Sequence, residues 1–460
     1  MERKTKIVAT IGPATQEKSM LKKLILAGVN VFRINLSHGE LATHKKVITD
    51  IMEVREKCGK SAVIMLDTRG PEVRIKKFEN GKITLKRGSE FSLCYGDSLG
   101  NENFVCITQM TAIKNAVIGK TIYANDGLIK LKIINKNSDS ITCKVIKGGV
   151  LSNNKGLFFA GQNLNLPYIN DNDKNDILAL KDLIDMIAGS FVQTDKDILD
   201  LKALAPKAKI IAKIESRQGI KNIDKILCVA DGIMVARGDL GVELDYAEVP
   251  VVQKLLINKA NEYGKISIVA TEMLESMIRE SRPTRAETSD VATSIYDGTC
   301  AIMTSAETAV GLNPIECIKV FDNICKNIER IIDYRALQSK QNFKIENEFD
   351  IVCMCAVKAA LEDSIKAVVV YTDSGKSAYK LCRYFSQTPV IAITRMKDTF
   401  NNLSIVRNCI PVFNKNENTF ENACHIARET KIVKKGDQVV LITGSTDEIS
   451  NCMKIQQIDF

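Results

Sequence analysis

The sequence predicts an α/β protein: a (β/α)8 TIM barrel, interrupted by an inserted β-barrel lid domain and followed by a C-terminal α/β domain. Three observations carry this prediction. Eight short apolar runs, each followed by a polar, helix-like segment, recur between Lys6 and Ser305. Most are spaced by roughly 20 to 35 residues, the length of one βα unit. One interval is several times longer than the rest, and after Leu337 the strand–helix alternation starts afresh.

The eight runs are "KIVATIG" from Lys6, "VNVFRIN" from Val29, "AVIMLD" from Ala62, "DMIAGSFV" from Asp185, "KIIAKIE" from Lys209, "DGIMVAR" from Asp231, "ISIVATE" from Ile266 and "CAIMTS" from Cys300. Their near-continuous apolar character is that of parallel strands covered on both faces. The long interval lies between the third and fourth runs and spans about 120 residues, far more than a βα unit needs. It opens at Gly70-Pro71 and contains the β-like pieces "KITLKRG", "EFSLCYG", "KTIYAND" and "ITCKVIKGG", with little helical periodicity. Residues 71–162 are therefore assigned to the insert. Residues 1–70 and 163–337 remain for the barrel, roughly 240 in all against a usual size of about 250. Residues 338–460 form the third domain, with strands at "IKAVVVYT", "TPVIAITR" and "DQVVLIT".

Composition narrows the class. The chain has 460 residues, 45% hydrophobic and 26% charged, and no apolar run long enough to span a membrane. The N-terminal "MERKTKIVATIGPAT" lacks the apolar core and cleavage pattern of a signal peptide. A cytoplasmic protein without membrane association is expected. The net charge of +9 comes from 64 basic and 55 acidic residues, with no block of five like charges. That argues against a nucleic-acid-binding tail and suits an anionic substrate. The fourteen cysteines are scattered without a CxxC, and only three histidines occur, so a zinc site is not expected. Such cysteines are expected to be small buried apolar residues.

Barrel enzymes build their sites at the C-terminal ends of the strands. The second strand ends in Arg33, Asn35, Ser37 and His38, and the third in Asp67, Thr68 and Arg69. The fifth ends in Lys213 and Glu215, the sixth in Arg237, Gly238 and Asp239. The seventh ends in Thr271 and Glu272, the eighth in Ser305 and Glu307. Any one of these ends reads as a solvated loop; six together describe a mouth for an anion and a metal. Glu215 and Asp239 offer hard oxygens for Mg²⁺ or Mn²⁺, or else partner Arg and Lys. Lys213 and Arg33 are suited to phosphate. Asn35, Ser37, Asp67 and Thr68 form an oxygen cluster that ordinary capping also explains. Thr284 and Glu287 make a T-x-x-E capping box, so a helix is expected to start after Pro283. In the last domain "DSGKS" resembles half a phosphate loop, but Val370 stands where its first Gly belongs. Ser374, Gly375, Lys376 and Ser377 still form a turn able to take a phosphate or simply to cap a helix.

The segments "TKIVATIGPAT", "VFRINLSHGE", "LDTRGPEVR", "AKIES", "DGIMVARGDLGVEL", "VATEMLESMIRESRPTRAETSDVATSIYDGT" and "SAETAVG" resemble, in order, the signatures of the pyruvate kinase family. The resemblance covers about 300 residues. It implies transfer of the phosphoryl group of phosphoenolpyruvate to ADP, giving pyruvate and ATP. It places Mg²⁺ (or Mn²⁺) on Glu215 and Asp239, and K⁺ on Asn35, Ser37, Asp67 and Thr68. Glu72 falls where K⁺-dependent members carry Glu. Lys213, Arg33, Thr271 and Ser305 are implied as catalytic, with Thr271 or Ser305 relaying a proton to the enolate. Arg33, Lys213, Gly238, Asp239 and Thr271 would bind substrate. Pro13, Asn35, His38, Arg74 and Lys155 would bind the nucleotide. The insert would be a lid over the site. A homotetramer and a sugar-phosphate effector at Ser374–Ser377 are further family-level expectations.

The sequence departs from the family pattern at Glu272, Ala306, Gln193, the "GLFFAG" of residues 156–161 and "ITGSTDEISNCMKI" of residues 442–455. Glu272 adds a negative charge beside Thr271, and Gln193 removes an ion-pairing group. Two other readings therefore stand beside an active kinase. One is a catalytically weakened ligand-binding paralogue with a regulatory or assembly role. The other is a different barrel enzyme that uses phosphoenolpyruvate.

Overall fold

The computed structural model describes residues 2–125, 127–162, 164–341, 343–416, 419–443 and 452–459. All eight expected strands close into one parallel barrel. They are Lys6–Thr10, Val31–Asn35, Val63–Asp67, Met186–Gly189, Lys209–Ile214, Gly232–Ala236, Ile266–Ala270 and Ala301–Thr304. Their continuous apolar runs have a direct cause. Alternate residues such as Val8, Met65, Ala188, Ile211, Met234 and Met303 fill the barrel interior. The residues between them, such as Ile7, Ile64, Ile187, Ile210 and Ala212, pack against the surrounding helices. Lys213 and Glu215 follow Ile211 at two-residue intervals, so they continue the inward face where the packed interior ends.

The insert leaves the third strand at Gly70. A left-handed turn is needed there (φ +75°), and an added Cβ would stand 2.9 Å from Ser190 Cβ, so only Gly fits. The chain returns at Asn170, the N-cap of the helix Asp171–Leu180. Asn170 Nδ2 donates to the Gly70 carbonyl at 2.9 Å, and the Gly70 N–H donates to Asp173 at 2.8 Å. The two connections of the insert are thus tied to one another.

Within the insert, seven strands form one sheet and two more form a separate ladder. The sheet curls until its edges meet at the Ile75–Ile107 bridge, which gives the expected barrel form. Strands at Val73–Arg74, Phe104–Ile107, Ile129–Lys136, Gly149–Ser152 and Gly156–Phe159, and the helix Met110–Asn115, add to the four pieces expected from sequence. "GLFFAG" supplies the strand Gly156–Phe159, with Leu157 and Phe159 buried.

The last domain carries a five-stranded sheet in the order Cys409–Phe413, Val390–Thr394, Ile365–Tyr371, Gln438–Thr443, Cys452–Gln457. The final strand is antiparallel. Two of the five, Cys409–Phe413 and Cys452–Gln457, have no counterpart in the sequence expectation. Most of the divergent loop, residues 444–451, lies outside the described residues. The sheet domain packs under the N-terminal end of the barrel: Lys6 Nζ donates to the Cys409 carbonyl at 2.8 Å and Ser404 Oγ to the Asn30 carbonyl at 3.0 Å. Among the described residues, no helix is long and apolar enough to cross a membrane.

Candidate active site

The fifth strand places Lys213 and Glu215 side by side at the barrel mouth, both buried. Lys213 Nζ meets Asp67 Oδ1 at 3.0 Å, Ser190 Oγ at 2.7 Å and Glu215 Oε1 at 3.1 Å. Asp67 in turn receives Arg33 Nε at 2.6 Å on its other oxygen. Arg33 Nη1 donates to Thr10 Oγ1 at 2.9 Å. Ser190 Oγ donates to the Thr68 carbonyl at 2.6 Å, and the Ser190 N–H to Thr68 Oγ1 at 3.0 Å. Five strands thereby lock one another's ends into a single network.

Charge states follow from this packing. Burial opposes the ammonium of Lys213, but Asp67 and Glu215 outweigh it and raise its pKa, so it stays protonated. Burial likewise opposes the Asp67 carboxylate, and Arg33 and Lys213 outweigh it and hold its pKa down. Glu215 is different. Burial, helped by Asp239, pushes it up to about 8 despite Lys213. Its Oε2 accepts the Phe191 N–H at 2.5 Å, while its buried Oε1 has no hydrogen bond in the described structure. Glu215 and Asp239 act on one another across the mouth, and two neighbouring carboxylates fit a divalent cation. Among the described residues no group of three or more His, Cys, Asp and Glu comes together. A two-carboxylate site is the pattern of Mg²⁺ completed by water and phosphate.

The sixth and seventh strands are joined by a strained corner. Thr271 (φ +68°) and Glu272 (φ +53°) are both left-handed, a conformation that non-Gly residues adopt at a cost. Arg237 holds the corner: its guanidinium donates to the carbonyls of Thr271 and Glu272 at 2.6 and 2.9 Å and takes Asp290 in a bidentate pair at 2.7 and 2.6 Å. Arg237, expected among the cations of the mouth, is therefore committed to holding this corner. The "ARGDLG" segment starts the short helix Arg237–Glu243. The Gly238 N–H donates to Thr271 Oγ1 at 2.8 Å, which itself donates to the Ala270 carbonyl at 2.6 Å. The Glu272 side chain is exposed and forms no ion pair among the described residues.

Two cavities flank the network. One, of about 400 Å³, lies between insert and barrel and is lined by His38, Glu72, Arg74, Lys155, Gln193 and Asp239, among others. The other, of about 620 Å³, is lined by Pro13, Arg33, Asn35, His38 and Ser305, among others. His38 borders both. Glu72 pairs with Arg74 at 2.6 Å. The Gln193 backbone N–H donates to Asp197, and its carbonyl accepts from Asn222. Ser305 Oγ is buried without a hydrogen-bond partner in the described structure. Of the expected K⁺ ligands, Asn35 and Asp67 are in register on adjacent strands. Asn35 Oδ1 accepts the Ser37 N–H at 3.1 Å, and Asp67 is shared with Arg33 and Lys213. Ala306 opens a one-turn helix whose Glu307 accepts the Ser305 N–H at 2.6 Å. Gly375 (φ +83°) caps the helix Lys376–Arg383, with Ser377 buried, Ser374 exposed, and Asp373 beside the turn paired to Arg395 at 2.5 Å.

Sequence reasoning missed Ser190 and Thr10, at the ends of the fourth and first strands. In the sequence each is followed by further apolar residues, Ile11 after Thr10 and Phe191 and Val192 after Ser190, so neither marks the end of its run.

The comparisons with known proteins agree with this architecture. Residues 2–318 match the family model "Pyruvate kinase, barrel domain", and residues 350–456 match "Pyruvate kinase, alpha/beta domain". The pyruvate kinase of Geobacillus stearothermophilus is 40% identical over 478 residues, covering 100% of this chain and 81% of that protein. That of Bacillus licheniformis is 40% identical over 468 residues, covering 98% and 80%. The crystal structure of a pyruvate kinase from Cryptosporidium parvum superposes with a TM-score of 0.93 at 34% identity, covering 99% of this chain and 96% of that one. Fold, site and relatives together define a barrel-type phosphotransferase. The relatives share its whole length, from the barrel through the C-terminal sheet. The chain belongs to the pyruvate kinase family.

Proposed function

We propose that the chain transfers the phosphoryl group of phosphoenolpyruvate to ADP, giving ATP and pyruvate, the last step of glycolysis. The observation that carries this reading is the buried Lys213–Glu215 pair, backed by Asp67, Arg33 and Ser190, at a mouth flanked by two cavities. Arg33 and Lys213 bind the transferring group, with Lys213 offsetting charge on the emerging enolate oxygen. Gly238, Asp239 and Thr271 bind the carboxylate region of phosphoenolpyruvate. Pro13, Asn35, His38, Arg74 and Lys155 bind the nucleotide, and all five line one cavity or the other. Glu215 and Asp239 hold Mg²⁺ or Mn²⁺, and Asn35, Ser37, Asp67 and Thr68 hold K⁺. The cations supply positive charge where phosphate oxygens crowd together.

The domain division is 1–70 with 163–337, 71–162 and 338–460, with the middle domain closing as a lid that excludes water. Thr271 has its hydroxyl engaged on both sides, so Ser305, whose Oγ has no hydrogen bond in the described structure, is the better relay of a proton to the enolate. The protein acts in the cytoplasm as a homotetramer, with the Ser374–Ser377 turn taking a sugar-phosphate effector.

The test is a coupled assay of pyruvate formation with Mg²⁺ and K⁺, titrated with phosphoenolpyruvate. The expected result is turnover that Lys213→Met abolishes; wild-type turnover no higher than that control refutes the reading. Replacing K⁺ by Na⁺ or a large organic cation is expected to lower the rate sharply, and unchanged activity overturns the K⁺ assignment.

A further inference from the structure

We propose that Cys94 and Cys106 form a reversible, peroxide-driven disulfide site within the insert. The two residues are in-register partners on the neighbouring parallel strands Glu90–Tyr95 and Phe104–Ile107. Neighbouring strands lie about 4.8 Å apart, inside the Cα separation of about 4.4–6.8 Å that a disulfide spans. Their Sγ atoms already stand 3.3 Å apart. Closing to a bond of about 2.05 Å brings the two sulfurs little more than about 1 Å nearer. Cys94 is half-buried and Cys106 buried, so an oxidant meets Cys94 first.

The chemistry is balanced with hydrogen peroxide as oxidant. The Cys94 thiolate attacks one peroxide oxygen, the O–O bond breaks, and the departing hydroxide takes a proton to leave as water. Cys94 is then a sulfenic acid. The Cys106 sulfur attacks the Cys94 sulfur; the S–S bond forms, and the sulfenic hydroxyl leaves as a second water with the Cys106 proton. Two thiols lose two electrons and the peroxide gains them. A dithiol such as dithiothreitol reverses the change by exchange.

The surroundings set the rate. Cys94 is faced by the Cys106 thiol and by the Asp139 carboxylate, and burial with these neighbours pushes its thiol up to about 12. Lys76 lies on the Cys106 side, with Nζ held by the Gly96 carbonyl at 2.7 Å and Asp97 at 2.5 Å. Thiolate is therefore scarce at neutrality, and oxidation is slow at pH 7 but accelerates about tenfold per pH unit above it. The bond would tie the strand Phe104–Ile107, which runs beside Arg74 and Lys76, to the strand Glu90–Tyr95. The Lys76 N–H donates to the Cys106 carbonyl at 2.7 Å, and the Thr108 N–H to the Arg74 carbonyl at 2.9 Å. The proposal stands on the two sulfurs and is independent of the reaction assigned to the barrel.

The experiment exposes the full-length protein to hydrogen peroxide at pH 8.5, blocks remaining thiols by alkylation, and maps peptides without reduction. Both cysteines fall in the tryptic peptide Gly88–Lys114. The expected peptide is lighter by two hydrogens, unalkylated, and still joined after further cleavage at Glu102. The two thiols of this peptide are lost together, and dithiothreitol restores both. Cys106→Ser is expected to stop at a Cys94 sulfenic acid that dimedone traps. Cys94→Ser, at the more exposed position, leaves Cys106 unoxidised at the same peroxide exposure and serves if Cys106→Ser does not fold. The proposal is overturned if Cys94 and Cys106 are both still alkylatable after exposure at pH 8.5 has been prolonged until no further thiol of the protein is lost. Pairing of either residue with another cysteine, or equal rates at pH 7 and 8.5, also overturns it.

Discussion

Ser190 is expected to position Lys213, and Ser190→Ala isolates that role. Three groups hold the ammonium: Asp67 at 3.0 Å, Ser190 at 2.7 Å and Glu215 at 3.1 Å. Ser190 accepts from Lys213 while donating to the Thr68 carbonyl at 2.6 Å, so its hydroxyl is oriented before the lysine arrives. Removing it deletes one hydrogen bond to a charged group, worth about 1.5–3 kcal/mol. Asp67 and Glu215 still hold the charge, so the loss falls at the low end of that range. At about 1.4 kcal/mol per tenfold, kcat drops roughly ten- to thirtyfold. Because the two carboxylates keep Lys213 protonated, the pH–rate profile keeps its shape. The assay is steady-state pyruvate formation for wild type, Ser190→Ala, Ser190→Thr and Lys213→Met, with folding checked by calorimetry. Ser190→Thr keeps a hydroxyl and is expected to restore most of the rate. A Ser190→Ala enzyme within twofold of wild type refutes the reasoning, as does one as inactive as Lys213→Met.

Three further outcomes follow from the same geometry. Asp67→Asn removes the charge shared by buried Arg33 and Lys213 and is expected to destabilise the protein by about 3–5 kcal/mol; a melting temperature within about 2 °C of wild type contradicts this. Lys4 is buried, with Nζ stacked on Tyr334 at 3.6 Å, and burial with Arg407 lowers its pKa to about 7 despite Glu329. The unfolded chain binds this proton more tightly between pH 7 and the usual lysine value, so stability at this site rises with pH across that window. Lys4→Met should therefore stabilise more at pH 7 than at pH 10, and a pH-independent difference in melting temperature counts against the assignment. Thr284→Ala breaks the capping box that Thr284 and Glu287 complete at the start of the helix Arg285–Tyr296. It should cost about 1 kcal/mol with little change in kcat, since Asp290 still holds Arg237; loss of activity without loss of stability argues otherwise.

Much of the fold was legible because burial on both faces writes a plain signal. Each barrel strand, Ile210 to Ile214 for instance, must be apolar on alternate residues for the interior and on the others for the helices. The insert was less legible. Ile129–Lys136 carries Lys130 and Lys132 between its buried residues, as a two-faced antiparallel strand does, and no unbroken run announces it. Cys452–Gln457 is mostly exposed and hydrogen-bonds along one edge only, so its sequence has little to encode. In the site, side chains were recognisable by chemistry but not by direction. Arg33 and Arg237 both end a strand, yet one faces the mouth through Asp67 and the other turns to Asp290 and a strained corner. Nothing local distinguishes them; the choice depends on which distant carboxylate folds into reach.

In the proposed assignment, the position of Glu215 would link metal binding to substrate binding. Its Oε1 lies 3.1 Å from Lys213, yet it is buried without a hydrogen bond in the described structure and its carboxyl is hard to ionise. Glu215 cannot serve Lys213 and a divalent cation equally, because both approach the same carboxylate. A cation held by Glu215 would weaken that residue's hold on Lys213 and leave the ammonium freer for a phosphoryl oxygen. Asp67, held by Arg33 on its far side, stays behind to keep Lys213 in place. The pair at the end of this buried strand is thus placed so that Glu215 could turn to a cation while Asp67 and Ser190 still hold Lys213.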